Sequence, residues 1–384
     1  MRRMKRWTGQ GKAFSAVGLL VLLVGGLCAV AVMAQQQPEE IAFDSAPNFF
    51  KLPEGQYFGE AAGVALNKAG HIFVYTRNGS SSGHIIAPQA AALYEFNPDG
   101  TFVRVLKELY SMAWAHAVRV DPQDNIWLVD NGSDMVVELS PRRQVELVLG
   151  RRRESVASTE VRPPVMPGTP TRAAVNTTFN EPTDVTWDTQ GNIFVSDGYK
   201  NMSVAKFNKD GAWVKRIGKG NGAEAGTGPG EFTNPHGIAS DAKGNIYVAD
   251  RGNARIQVFD PDLKFQREIR INVPAPPDAT LTNAQPGTGG NTFKPGAPWA
   301  ICITSGPNQV LYSADAFPGR VYKLSLDGKV LGYFGRDGKQ LKQFNWIHAI
   351  ACPSENEIYV AEILNWRAQK LILHPGQQMS AVGR

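Results

Sequence analysis

One unit recurs six times along this chain: a short β-prone run, a turn bearing Gly or Asn, a second apolar run, a small loop and a third strand. It reads GVALNKAGHIFVYTR from Gly63, HAVRVDPQDNIWLVD from His116, TDVTWDTQGNIFVSD from Thr183, HGIASDAKGNIYVAD from His236, AICITSGPNQVLYSAD from Ala300 and HAIACPSENEIYVAE from His348. Third strands follow, as in ALYEFNPDG, VAKFNKDG and VYKLSLDG. Asp-Gly and similar pairs between alternating runs supply tight turns, and no stretch sustains a helical period. Copies spaced about 45 to 65 residues apart, each with three or four strands, imply stacked propeller blades rather than a sandwich. The expected fold is therefore all-β: one six-bladed β-propeller over residues 35–384, in which ring closure removes long open sheet edges. The last blade runs out of chain soon after Leu373. Its fourth strand must come from elsewhere, and the expected donor is the segment from Asn48 to Leu52.

The first 34 residues stand apart from this pattern. Arg2, Arg3, Lys5 and Arg6 precede an apolar stretch from Ala13 to Met33, and Val32-Met33-Ala34 offers the small residues that a signal peptidase reads. An export signal over residues 1–34 is expected, placing the mature chain in the periplasm or outside the cell. The alternative is an uncleaved anchor, since the stretch is close to spanning length; association with a membrane is expected only in that case. Gly-Gly-Leu before Cys28 argues against lipidation. With Lys12, this segment holds five basic residues and no acidic one, which accounts for the whole formal charge of +5. The rest of the chain is neutral, which removes the electrostatic case for a nucleic-acid partner. Beyond the signal only Cys302 and Cys352 remain, at matching places in neighbouring repeats. They are either bridged or two buried thiols.

Three of the six histidines share one phase of the repeat. His116, His236 and His348 each lie fourteen residues before the acidic residue that ends a second strand: Asp130, Asp250 and Glu362. The other copies carry Ala62, Thr183 and Ala300 at that phase, the fifth with a one-residue shift. First strands of blades line the central channel, so the imidazoles come from blades two, four and six. Equal phase means equal depth, and alternate blades give three-fold geometry. Three neutral imidazoles with an open fourth position make a zinc site, with the ring nitrogens expected within roughly 3 to 4 Å of one another. A second phase falls just after the second strand, where Arg77, Arg251 and Tyr199 reach the rim. Two guanidiniums there suit a substrate carboxylate, and a phenol beside a metal suits a base. Three long insertions, Arg151 to Phe179, Lys219 to Thr233 and Ile271 to Pro298, are expected to be functional rims or mobile segments. Arg151-Arg152-Arg153 reads as a solvated loop start.

At this level the residues resemble a known family. HAVRVDPQDNIWLVD, EPTDVTWDTQGNIFVSDGYKN, NPHGIASDAKGNIYVADRGNARIQVF and WIHAIACPSENEIYVAE are similar to the peptidyl-α-hydroxyglycine α-amidating lyases, which are NHL-type propellers. The resemblance implies that His116, His236 and His348 bind zinc, that Tyr199 takes a hydroxyl proton, and that Arg77 and Arg251 face the substrate. It implies cleavage of the C–N bond of an α-hydroxyglycine to an amide and glyoxylate, on a peptide or small molecule bearing a carboxylate. It also implies a calcium held by the backbone oxygens of Val64 and Val118 and by an acidic residue after the third histidine. That last position is Ala349, so the carboxylate is missing. Lys200 replaces a half-cystine of the animal enzymes, so that disulfide is absent. Two other classes remain: a non-catalytic NHL propeller that binds a protein or cell-wall ligand, and a lactonase-like hydrolase, whose calcium site would use carboxylates and amides rather than imidazoles.

Overall fold

The computed structural model describes residues 38–77, 91–106, 112–151, 176–220, 222, 224–279 and 290–377. The expected export signal, and Arg152 with Arg153, lie outside them. Six four-stranded antiparallel sheets form the blades of a propeller. Their innermost strands are Glu60–Leu66, Ala115–Val120, Asp184–Trp187, Pro235–Ser240, Ala300–Ile303 and Ile347–Ala351. Second strands such as Ile126–Asp130 and Ile246–Asp250 are buried along their whole length. That is why they read as unbroken apolar runs: each blade is covered on both faces by its neighbours. Tyr75 and Leu93 of the first blade, for example, pack against Leu128 and Val137 of the second.

Closure uses the N-terminal chain, but not the segment expected. Ala42–Ser45 pairs antiparallel with Arg367–His374 and completes the sixth blade. Its sequence, AFDS, alternates as a strand should: Phe43 is buried against Phe334 and Phe344 while Asp44 faces out. Asn48 to Leu52 has left the sheet. Asn48 turns the chain at φ 48°, Lys51 bridges Thr101 beside the first blade, and Phe50 stands edge-on to Phe58 and Phe96. Two adjacent aromatics, Phe49 and Phe50, cannot both point inward from one strand, so that segment serves as an apolar anchor.

Two repeated polar devices set the loops. In DPQDN the Asp121 carboxylate accepts the backbone N–H groups of Gln123 and Asn125, at 2.8 and 2.9 Å, and Asp188 and Asp241 repeat the turn. At the other end of the channel, the acid that closes each second strand caps the chain entering the first. Asp130 accepts the N–H groups of Ala113 and Trp114; Asp250 accepts that of Thr233, and Glu362 that of Asn345. This contact fixes the fourteen-residue spacing, because it ties the strand end to the residues just before each histidine. Of the insertions, residues 224–233 of the Lys219 to Thr233 segment fold onto the fourth blade, where Arg255 donates to the carbonyls of Gly228 and Glu231. Cys302 and Cys352 are bonded, joining the fifth and sixth blades with Cα atoms 6.1 Å apart.

Candidate metal centre

Each histidine sits at a β-bulge in its inner strand. The register slips between Ala115 and Ala117, between Pro235 and Ile238, and between Ile347 and Ala349. An extra residue at that point turns its side chain off the regular pleat and into the channel. The three rings meet tilted or edge-on to one another, with centroids 4.5 to 4.9 Å apart. Their candidate ligand atoms lie within 4.8 Å of one another, and all three residues are buried.

The alternate blades supply the counterparts. His116 Nδ1 meets the Thr183 carbonyl at 2.6 Å, His236 Nδ1 the Trp299 carbonyl at 2.7 Å, and His348 Nδ1 the Ala62 carbonyl at 2.7 Å. A carbonyl only accepts, so each Nδ1 carries the proton and donates it. Each Nε2 is left with a lone pair for a ligand, which is the usual outer arrangement of a metal-binding imidazole. Burial holds all three well below the ordinary histidine range, with neighbouring imidazoles and the Arg77 and Arg251 charges adding to the effect. Neutral, oriented imidazoles are the form that binds a divalent ion. The 4.8 Å spread is wider than that of ligands around zinc. With bonds of about 2.0–2.1 Å, loading would draw the rings together by roughly 1 to 1.5 Å.

Tyr199 leans over this cluster. Its hydroxyl is 3.3 Å from His116 Nε2 and 3.4 Å from His236 Nε2. The residue before it must be glycine: a Cβ on Gly198 would lie 1.8 Å from the Pro235 carbonyl oxygen. That close approach brings the SDGYKN loop down onto the next blade and sets the depth of the phenol.

The two arginines differ. Arg77 is committed: Nε donates to the Ala115 carbonyl at 2.7 Å, Nη1 reaches Glu60 at 3.3 Å, and the guanidinium lies over Trp114. Arg251 is stacked between rings, 3.9 Å from Trp299 and 5.0 Å from Tyr199. Its Nε and Nη1 are buried with no hydrogen-bond acceptor among the described residues. A buried guanidinium left this way carries a desolvation cost that an incoming carboxylate would relieve. The expected pair of equal forks is thus one anchored and one open cation.

Sequence reasoning missed Glu60, Trp114, Trp299 and Trp346. Trp299 holds His236 by its carbonyl and Arg251 by its face, and Trp346 packs edge-on to it at 4.8 Å. A signal existed: Trp114 and Trp346 each stand two residues before a phase histidine.

The calcium implied by resemblance does not fit. Ala349 brings no oxygen, and the small space beneath the histidines, lined by Val118, Asp184 and Ala349, also holds Arg119. Arg119 lines it and brings N–H donors, where a cation would need acceptors.

The NHL repeat family model matches residues 232–259. That match falls within the fourth of six blades, so the chain is a six-bladed propeller that carries an NHL repeat. It is similar to the peptidyl-glycine alpha-amidating monooxygenase of Mus musculus, 30% identical over 244 residues, covering 58% of this chain and 22% of that protein. It is also similar to the probable peptidyl-alpha-hydroxyglycine alpha-amidating lyase pgal-1 of Caenorhabditis elegans, 28% identical over 267 residues, covering 62% of this chain and 69% of that one. Among solved structures, virginiamycin B lyase from Staphylococcus aureus superposes with a TM-score of 0.51 at 12% identity, over 87% of this chain and 100% of that one. That likeness concerns the fold alone.

Proposed function

We propose that this chain is an exported zinc-dependent lyase that cleaves the C–N bond of an α-hydroxyglycine-type carbinolamide, releasing an amide and glyoxylate. One observation carries the reading: three imidazoles whose Nε2 lone pairs converge face a tyrosine hydroxyl, beside a buried guanidinium whose Nε and Nη1 have no acceptor among the described residues. The names of the relatives from mouse and Caenorhabditis elegans support it. Export is supported by the basic and apolar segment over residues 1–34, and by the Cys302–Cys352 bond, which suits an oxidising compartment.

His116, His236 and His348 would hold the ion, which when bound supplies Lewis-acid polarisation of the substrate hydroxyl. Arg251, with Arg77 beside it, binds the carboxylate and orients the α-carbon toward the histidines. Tyr199 Oη takes the hydroxyl proton. The C–O bond then closes to the aldehyde of glyoxylate as the C–N pair leaves with the amide nitrogen, which gains one proton. No water or external oxidant is consumed. The substrate is a peptide or small molecule with a free carboxylate on its hydroxyglycine end.

The test is glyoxylate release from α-hydroxyhippurate and an α-hydroxyglycine peptide. Tyr199→Phe should keep the fold and the metal content and lose turnover by about 100-fold or more. An unchanged rate removes Tyr199 as the base. A metal-loaded protein inert to every α-hydroxyglycine tried would favour a non-catalytic binding propeller.

A further inference from the structure

Arg119 lines the same small space as the three histidines and is used by no step above. It contacts more of the ring than any ordinary ion pair needs. Nε donates to Asp184 Oδ1 of the third blade at 2.8 Å, and Nη2 pairs with the other oxygen of that carboxylate. Nη1 reaches the Ile350 carbonyl of the sixth blade at 3.3 Å, and Nη2 the Ile301 carbonyl of the fifth at 3.4 Å. Asp184 in turn accepts the Ile238 N–H of the fourth blade at 3.1 Å. One side-chain pair therefore ties five of the six inner strands across the axis. The guanidinium also borders a cavity of about 720 Å³ at the opposite mouth, so it separates that mouth from the histidine chamber.

We infer that Arg119, held by Asp184, is a built-in axial cation that takes the place of a second metal ion, so that the protein binds one divalent ion and has no calcium site. Electrostatics and geometry agree on this. The inner-strand carbonyls of Ile301 and Ile350 point at the axis and need a positive partner. Ala349 supplies no carboxylate for a free ion, whereas Asp184 supplies one for a fixed guanidinium. A bidentate fork can satisfy the carboxylate and still reach two carbonyls, which an ammonium cannot do from one position.

The test reads calcium and stability, and is independent of zinc and of lyase activity. Full-length protein, equilibrated with calcium and dialysed, should hold no stoichiometric calcium, and its melting midpoint should not move between millimolar calcium and EGTA. Arg119→Ala should melt roughly 5 to 10 °C lower, because it leaves the Asp184 charge buried and unpaired. Millimolar calcium should recover part of that loss, because the vacated place is lined by a carboxylate and two carbonyls. Arg119→Lys should recover less than half of it. One equivalent of tightly held calcium in the unmodified protein, or a midpoint raised by calcium, would overturn the inference even if Arg119→Ala fails to fold. A midpoint unchanged in Arg119→Ala would overturn it equally.

Discussion

Stripping any bound ion and lowering the pH from 6.5 to 5 should destabilise the fold, by at most about 5 kcal/mol through three imidazoles that stay neutral. The sign follows from the direction of each shift. Burial depresses His116, His236 and His348 well below the ordinary histidine range, so the unfolded chain takes up three protons near pH 6.5 that the folded chain refuses. Stability contributed by the neutral imidazoles is full above that value and is lost as the pH falls toward the depressed folded values. Carboxyls raised by burial oppose them, Asp250 and Glu138 among them. Asp315 is pushed up to about 7 by burial, so between pH 6.5 and 5 the folded state holds a proton there that the unfolded state lacks. Integrated over the window, three imidazoles lose at most about 5 kcal/mol and Asp315 returns about 2. The assay is equilibrium urea unfolding of chelator-treated protein at four pH values, with the denaturant slope held as a check on two-state behaviour. His236→Gln should remove one histidine's share and make the loss smaller. A stability flat across this window, or a loss unaltered in the variant, would refute the claim that these rings are buried and neutral.

Two further outcomes follow from the chamber walls. Gly198→Ala must push the SDGYKN loop off the Pro235 carbonyl, costing about 1–3 kcal/mol of stability. With Tyr199 displaced by about 1 Å it should also lower kcat about 100-fold with metal content unchanged, and a normal kcat would show that the loop does not set the phenol. Arg251→Ala should raise KM by about 10- to 100-fold for a carboxylate substrate and little for its carboxamide analogue; equal losses on both would mean the guanidinium serves the fold instead.

Much of this was legible because blades are local. Hairpins close within a few tens of residues, so the strand pattern and turn residues appear in the chain as a repeat, and a phase shared by His116, His236 and His348 becomes a depth in the channel. What escaped the sequence depends on which blades face one another. The Arg119–Asp184 pair, the bond from Arg77 to the Ala115 carbonyl and the carbonyls of Ala62, Thr183 and Trp299 are contacts between blades, and the repeat does not encode them. The closing strand was misplaced for a local reason. Phe49-Phe50 carries more apolar bulk than Ala42–Ser45, but only the latter alternates, and pairing with Arg367–His374 selects for alternation.

The most direct measurement of the central claim is metal stoichiometry by inductively coupled plasma mass spectrometry on the purified protein, set beside His236→Ala. Three converging imidazoles predict one zinc per chain in the unmodified protein, released in acid as the imidazoles protonate, and less than a tenth of an equivalent in the variant. A metal-free protein that does not take up zinc on incubation, or a His236→Ala variant that still holds a full equivalent, would contradict it.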